Sequence, residues 1–113
     1  MTEQRYGLPR GFLGRLADVE SSRNPGTPNS RTGAVGLFQL MPGTAHDLGV
    51  NPQDPVQSAD GAARMIVNLW RRFGSLPAAV AAYHDGPGAF AKEGWAGLSP
   101  EGRAEVAKVV GES

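Results

Sequence analysis

The chain has 113 residues, with eleven basic and eleven acidic side chains that cancel, two histidines and no cysteine. The length predicts a single domain over residues 1–113, and the charge balance argues against nucleic acid as a partner, because no basic patch is present to neutralise phosphates. The lack of cysteine excludes disulfides and thiolate metal sites, and no segment approaches the roughly 18 apolar residues that a transmembrane helix needs.

Apolar periodicity and turn residues predict short helices joined by shaped loops, without a long alternating strand. The first predicted helix covers residues 9–22 and carries Glu20 near its end. A loop of turn formers follows over residues 24–32, and residues 34–40 are expected to form a short helix or a turn followed by a helix. The one β structure that stays an open alternative is a minor hairpin in residues 24–36.

The rest of the chain is also predicted to be helical. Five further helical segments are expected, and they cover residues 42–48, 56–73, 76–84, 89–92 and 99–110. Gly49 and Gly74 each follow one of these segments, as glycine commonly does where a chain leaves a helix. Ser99 precedes Pro100 and is the predicted N-cap of the last helix. The fold class is therefore predicted to be mainly α.

One acid occupies a position suited to proton transfer. Glu20 ends the first apolar-periodic segment, a turn-rich loop follows it, and the compact run Gln39-Leu40-Met41-Pro42 comes next. This order can place one carboxyl group in an apolar wall above a polar groove. A carboxyl group in an apolar wall keeps its proton to higher pH than it does in water, so it can act as an acid near neutrality. Cleavage of a glycosidic bond needs such an acid at the leaving oxygen.

An acid near a helix end, taken alone, is most often a surface residue, but the residues around Glu20 form a known pattern. Two blocks in the same order carry the resemblance: Glu20-Ser21, Asn24-Pro25, Gly33-Ala34 and Gln39-Leu40-Met41-Pro42 in the first, and Ala82-Tyr83-His84-Asp85-Gly86-Pro87-Gly88 in the second. The pattern resembles the signature of the soluble lytic transglycosylase family over about residues 12–90. That resemblance implies a mainly helical fold like that of goose-type lysozyme.

The resemblance also implies an activity: cleavage of the β-1,4 bond between N-acetylmuramic acid and N-acetylglucosamine in peptidoglycan. The product carries a 1,6-anhydromuramic end, and no water, metal or cofactor is consumed. Glu20 takes the place of the catalytic acid and base, and Tyr83 takes that of the tyrosine whose hydroxyl orients the catalytic carboxyl group. The substrate-binding residues implied in the same way are Ser30, Gln39, Met41 and His84.

Two residues depart from the family pattern, since His84 stands where asparagine is usual and Asp85 where alanine is usual. A histidine could bring pH dependence near neutrality. Asp85 is either a turn-capping acid or a second carboxylate that permits hydrolysis. Two alternatives therefore stay open, a muramidase that uses water and a catalytically inactive glycan-binding or virion module.

Residues 1–10 contain no apolar run of the signal-peptide type, so the chain is expected to reach the bacterial cell wall, in the periplasm, by another route. Residues 98–103 and the helix after them resemble the end of transglycosylase domains at the front of phage internal virion proteins. A domain from a longer tail or secretion-associated protein is the rival interpretation. The expected partners are peptidoglycan glycan strands, without nucleic acid or membrane insertion. The chain is expected to be a monomer or part of a larger virion or secretion assembly.

Overall fold

The structure, a computed structural model, describes residues 2–21 and 35–111, except for the side chains of Ser21 and Glu101. Its helices are α1 (Thr2–Tyr6), α2 (Phe12–Ser21), α3 (Pro42–Leu48), α4 (Pro55–Phe73), α5 (Leu76–Asp85), α6 (Pro87–Glu93), a 3-10 helix (Gly94–Gly97) and α7 (Pro100–Val110). Over these residues, β structure is limited to one antiparallel bridge between Val35 and Leu40. The prediction of a mainly α fold is confirmed. The hairpin left open over 24–36 falls almost wholly outside the described residues.

The chain divides into two compact units, the first up to Arg64 and the second from Met65. The buried apolar residues of the first unit are Leu8, Phe12, Leu13, Leu16, Ala17, Phe38, Leu40, Ala45, Ala62 and Ala63. Those of the second unit are Ile66, Leu69, Ala78, Ala79, Val80, Ala81, Ala82, Phe90, Leu98, Val106 and Val109. A single domain over residues 1–113 stays a prediction. Across the described part of the chain, none of the helices combines the length and the apolar character needed to span a membrane.

The residues at its two ends explain where helix α4 begins and where it ends. Asp54 caps its start, because Asp54 Oδ1 accepts hydrogen bonds from the backbone N–H groups of Val56 at 2.9 Å and Gln57 at 3.3 Å. Proline suits the first helical position, where its missing N–H would have no partner anyway. Gly74 follows with a φ of +86°, which glycine adopts without strain. The helix predicted over 56–73 is confirmed with one residue added at its start.

In the second unit, α5 packs against α6 and α7. Five consecutive residues of α5, from Ala78 to Ala82, are buried, so the helix is apolar on every side over this stretch and belongs to the interior. The small alanine side chains let neighbouring helices approach closely. Ser99 caps α7 as predicted, since its Oγ accepts from the N–H of Gly102 at 3.0 Å.

Helix α1 was not predicted from the sequence. It has five residues, none of them buried, so it lacks the apolar periodicity that marks a longer helix. Its end is marked by Gly7, with a φ of +72°, and by Leu8, whose N–H donates to the carbonyl oxygen of Glu3 at 2.9 Å. A glycine followed two residues later by a proline, as in Gly7 and Pro9, is typical of a helix end. This pair is the sequence signal that could have predicted the end of α1.

Candidate active site

Glu20 lies in the last turn of α2, half-buried. An α-helix turns about 100° per residue, so residues four apart follow one another along one side. Phe12 and Leu16 precede Glu20 at that spacing, and both are fully buried, at 0% exposed surface. Glu20 therefore continues the side of the helix that Phe12 and Leu16 occupy. Asp18, the other acid of α2, falls on the opposite side by the same geometry.

The helix that carries Glu20 is held at its start by a carboxylate from α1. Glu3 Oε1 accepts from the N–H of Gly11 at 2.9 Å, and Glu3 Oε2 accepts from the N–H of Leu13 at 2.6 Å. A helix start leaves its first N–H groups without partners inside the helix, and a negative charge there also interacts favourably with the helix dipole. The sequence did not reveal this cap, because Glu3 lies eight to ten residues away from the groups it binds.

Residues 35–40 form a tight turn, so the helical piece predicted over 34–40 is wrong within the described residues. Val35 N–H donates to the carbonyl oxygen of Leu40 at 3.0 Å, and Leu40 N–H donates to that of Val35 at 3.2 Å. The four residues between them close a loop. Gly36 has a φ of +85°, and a Cβ at this position would overlap the carbonyl oxygen of Pro52. Glycine is required because another backbone segment passes too close for a side chain.

Gln39 fastens this turn. Its side-chain Nε2 donates to the carbonyl oxygen of Gly36 at 2.9 Å, and its backbone N–H reaches the same oxygen at 3.2 Å. Among the described residues, Gln39 is the one non-glycine with a positive φ, at +51°. A left-handed conformation in a residue with a side chain persists when the surrounding contacts enforce it. The structure thus shows Gln39 as a turn-holding residue, and its predicted contact with a sugar stays a prediction.

Met41 follows the turn and is 45% exposed. It precedes α3, and its carbonyl oxygen accepts from the N–H of Ala45 at 2.9 Å. The turn lies beside α2, since both line an open pocket of about 360 Å³ whose walls are Leu13, Gly14, Ala17, Leu37, Phe38, Pro55 and Ala59. The structure therefore places the turn with Gln39 and Met41 next to the helix that carries Glu20.

Tyr83 and His84 lie in the last turn of α5, in the second unit. Tyr83 is half-buried, whereas His84 and Asp85 are exposed. Gly86, with a φ of +100°, ends α5, and Pro87 begins α6 at once, so this block is a corner between two helices. His84 Nε2 lies 3.0 Å from Glu105 Oε2 of α7. This carboxylate neighbour was not predicted, because the two residues are far apart in the sequence.

The structure thus distributes the predicted site residues over both units. Glu20, Gln39 and Met41 belong to the first, and Tyr83 and His84 belong to the second. Ser30 lies outside the described residues. Within the described ranges, no cluster of three or more histidine, cysteine, aspartate or glutamate side chains is arranged to hold a metal ion.

Comparison with known proteins matches most of the chain to one family. The family model of the transglycosylase SLT domain matches residues 1–98. A transglycosylase of Enterobacteria phage PRD1 is 42% identical over 83 residues, which make up 73% of this chain and 31% of the phage protein. The chain thus spans less than a third of the length of this relative.

Solved structures share the fold. The 70-kDa soluble lytic transglycosylase of Escherichia coli matches with a TM-score of 0.75 and 25% identity, over 96% of this chain and 22% of that one. An inactive glutamate-to-glutamine mutant of the lytic transglycosylase Slt of Pseudomonas aeruginosa matches with a TM-score of 0.76 and 21% identity, over 96% and 21% of the two chains. These likenesses confirm the predicted lysozyme-like helical fold.

Proposed function

Since the chain belongs to the transglycosylase SLT domain family, we propose that it cleaves bacterial peptidoglycan glycan strands as a lytic transglycosylase. The observation that carries the proposal is the position of Glu20, a half-buried acid at the end of the apolar side of α2. The phage relative is itself a transglycosylase, and the 42% identity extends over 73% of the present chain. The proposed bond is the β-1,4 linkage between N-acetylmuramic acid and N-acetylglucosamine.

Glu20 serves as acid and then as base. Its proton passes to the glycosidic oxygen as the bond from that oxygen to the muramic C1 breaks, so the N-acetylglucosamine strand leaves as an alcohol. Positive charge develops on C1 and the ring oxygen. The muramic C6 oxygen then bonds to C1, and its proton passes to the Glu20 carboxylate. The acid is thereby restored, and the atoms balance without water. An intramolecular nucleophile held close to C1 favours this closure over attack by water.

The other proposed site residues bind or orient. Tyr83 orients the Glu20 carboxyl group through its phenolic hydroxyl, a group that can both donate and accept a hydrogen bond. Met41 forms an apolar wall, which its 45% exposure supports. Ser30, Gln39 and His84 complete the groove. His84 Nε2 lies 3.0 Å from Glu105 Oε2 of α7, so this carboxylate helps to fix the His84 ring in the proposed groove.

The proposed place of action is the bacterial cell wall, with glycan strands as partner. The phage origin of the relative supports delivery with a virion. The wider assembly and the oligomeric state belong to the same proposal, in which the chain acts as a monomer or as part of a larger virion or secretion complex.

The test is mass spectrometry of the soluble products released from purified peptidoglycan by the wild type, Glu20→Gln and Asp18→Asn. Asp18 is the matched control, since it is an acid of the same helix on the opposite side. We expect anhydromuropeptides from the wild type and Asp18→Asn, and release at least about a hundredfold slower from Glu20→Gln, the usual size of a general acid–base contribution.

Other outcomes would change the assignment. Reducing muramic ends that disappear in Glu20→Gln would identify a hydrolytic muramidase, with Asp85 as the next acid to replace. Binding of peptidoglycan without release of fragments by the wild type would identify a non-catalytic glycan-binding module. Circular dichroism of each variant separates a lost acid from a lost fold.

A further inference from the structure

Trp95 exposes an unusual amount of apolar surface. It lies in the 3-10 helix between α6 and α7 and is 40% exposed. Among the described residues of the second unit, no other large apolar side chain is exposed to this degree. Tryptophan has one of the largest surfaces to gain from burial, so folding alone would favour a position in the core.

The exposed indole is nevertheless held firmly. The ring of Phe90 lies 5.3 Å from that of Trp95, centroid to centroid, with the two planes at 89°. Phe73 meets Phe90 in the same way, at 5.2 Å and 85°. Both pairs have the edge-to-face geometry that aromatic rings prefer. A line of three rings thus runs from the end of α4 through α6 to the surface.

The backbone under Trp95 is fastened as well. Arg103 of α7 donates through Nη2 to the carbonyl oxygen of Trp95 and through Nε to that of Leu98, the latter at 3.4 Å. One guanidinium group therefore ties Trp95 and Leu98, the residue after the short helix, to α7. A ring supported by other rings, on a backbone held by an arginine, loses little freedom when a ligand covers it, which favours binding.

The surroundings of Trp95 indicate which kind of ligand fits. The exposed residues close to it in the sequence include Lys92, Glu93 and Ala96, and the Glu93 carboxylate lies against Gly97, where glycine leaves it room. A stable protein interface buries about 800 Å² per partner around an apolar centre, and one ring among charges does not supply that. A sugar ring does fit, because it offers C–H groups on one face and hydroxyls at its edge, matched by a flat aromatic face and nearby polar groups.

We propose that Trp95 is a sugar-stacking subsite that takes an N-acetylhexosamine ring of a β-1,4-linked glycan, with Glu93 and Lys92 binding its polar substituents. The identity of the glycan rests on the proposed function. Binding at Trp95 does not require that the chain cleave it.

The first test is co-sedimentation with purified peptidoglycan in the Glu20→Gln background, so that the glycan is not consumed. Trp95→Ala should weaken binding at least about fivefold, on the scale of one lost aromatic contact, and Trp95→Phe should keep most of it. Val56→Ala is the control for general apolar adsorption, since Val56 is an exposed apolar residue of the first unit, at 77%, and should bind like its parent. Equal binding by all three variants would overturn the proposal.

The second test does not depend on a variant at Trp95. The chain has two tryptophans, so Trp70→Phe leaves Trp95 as the one tryptophan, whose emission can be excited selectively at wavelengths that tyrosine does not absorb. Titration with a β-1,4-linked N-acetylglucosamine tetrasaccharide should shift its emission to shorter wavelength and saturate. An unchanged emission spectrum across the titration would contradict stacking on the indole.

The failure of this subsite and the failure of the proposed function give different results. Anhydromuropeptide release by the wild type together with unchanged binding by Trp95→Ala would remove the subsite and leave the enzyme. Trp95-dependent binding without any release of fragments by the wild type would remove the enzyme and leave the subsite.

Discussion

At the scale of single residues, the turn over residues 35–40 depends on the side chain of Gln39 and on the absence of a side chain at Gly36. Gly36 admits the Pro52 backbone, and Gln39 binds the Gly36 carbonyl oxygen. A residue chosen for a positive φ alone would usually be glycine. Gln39 keeps its side chain there at a strain cost of about 1–3 kcal/mol, so its amide contributes something that glycine cannot, namely the hydrogen bond that closes the turn beside α2.

Replacement of Gly36 by alanine should strongly destabilise the first unit. Alanine at a φ of +85° is strained, and its Cβ would also overlap the Pro52 carbonyl oxygen, so we expect a loss of about 3 kcal/mol or more in the free energy of unfolding. Gly7→Ala is the matched control, because Gly7 has a φ of +72° with open space around it, and should cost only about 1 kcal/mol. Urea unfolding measures both, and equal losses would show that the Pro52 contact does not matter.

At the scale of helices, the position of Glu20 depends on a contact at the far end of its own helix. Glu3 binds the first N–H groups of α2, and Glu20 lies in the last turn, eight residues after Phe12. A helix of ten residues is too short to be stable alone in water, so its ends are held by tertiary contacts. The cap therefore helps to stabilise the helix that carries Glu20.

Glu3→Ala should lower the free energy of unfolding by about 1–2 kcal/mol, the usual cost of a lost N-cap with its charge. Gln4→Ala is the control, since Gln4 is exposed on the same helix and should change stability by less than about 0.5 kcal/mol. Thermal unfolding followed by circular dichroism compares the two. A Glu3→Ala variant as stable as Gln4→Ala would mean that water replaces the carboxylate at no cost.

At the scale of the molecule, three helices of the first unit are joined by one polar network. The Tyr6 hydroxyl of α1 donates to Asp60 Oδ1 of α4 at 2.8 Å. Arg64 Nε lies 3.1 Å from the other oxygen of Asp60, and Arg64 Nη2 donates to the carbonyl oxygen of Leu48, at the end of α3, at 2.7 Å. The hydrogen bond to Asp60 raises the pKa of Tyr6 above its usual 10.0, because loss of the phenolic proton would place two negative oxygens together.

Tyr6→Phe should make the chain less stable near neutral pH, and the difference from the wild type should vanish in strong alkali. The pKa of Tyr6 is higher in the folded chain than the usual value of 10.0, which applies to the unfolded chain. The Tyr6 hydroxyl therefore contributes to the free energy of unfolding in full below pH 10, and this contribution is lost as the pH rises through the folded pKa. Urea unfolding of both proteins between pH 7 and pH 12 measures the difference. A difference that is constant up to the highest pH would contradict the bond to Asp60.

The sequence by itself determined the features that depend on near neighbours. Gly49, Gly74 and Ser99 mark helix ends because positive φ values and caps involve only a few adjacent residues. The position of Glu20 on the apolar side of α2 follows from the period of the helix alone. The family pattern added the likeness in fold and the candidate roles.

Only the tertiary structure decided the features that join distant residues. Glycine is required at position 36 of the turn because the Pro52 backbone, sixteen residues later in the chain, covers it. Glu3 caps α2, and Glu105 faces His84. In both cases the partners are too far apart in the sequence for a helix-spacing or capping rule to predict the contact. Local sterics and hydrogen bonding act over a few residues of chain, whereas these partners meet because burial of apolar side chains brings separate helices together.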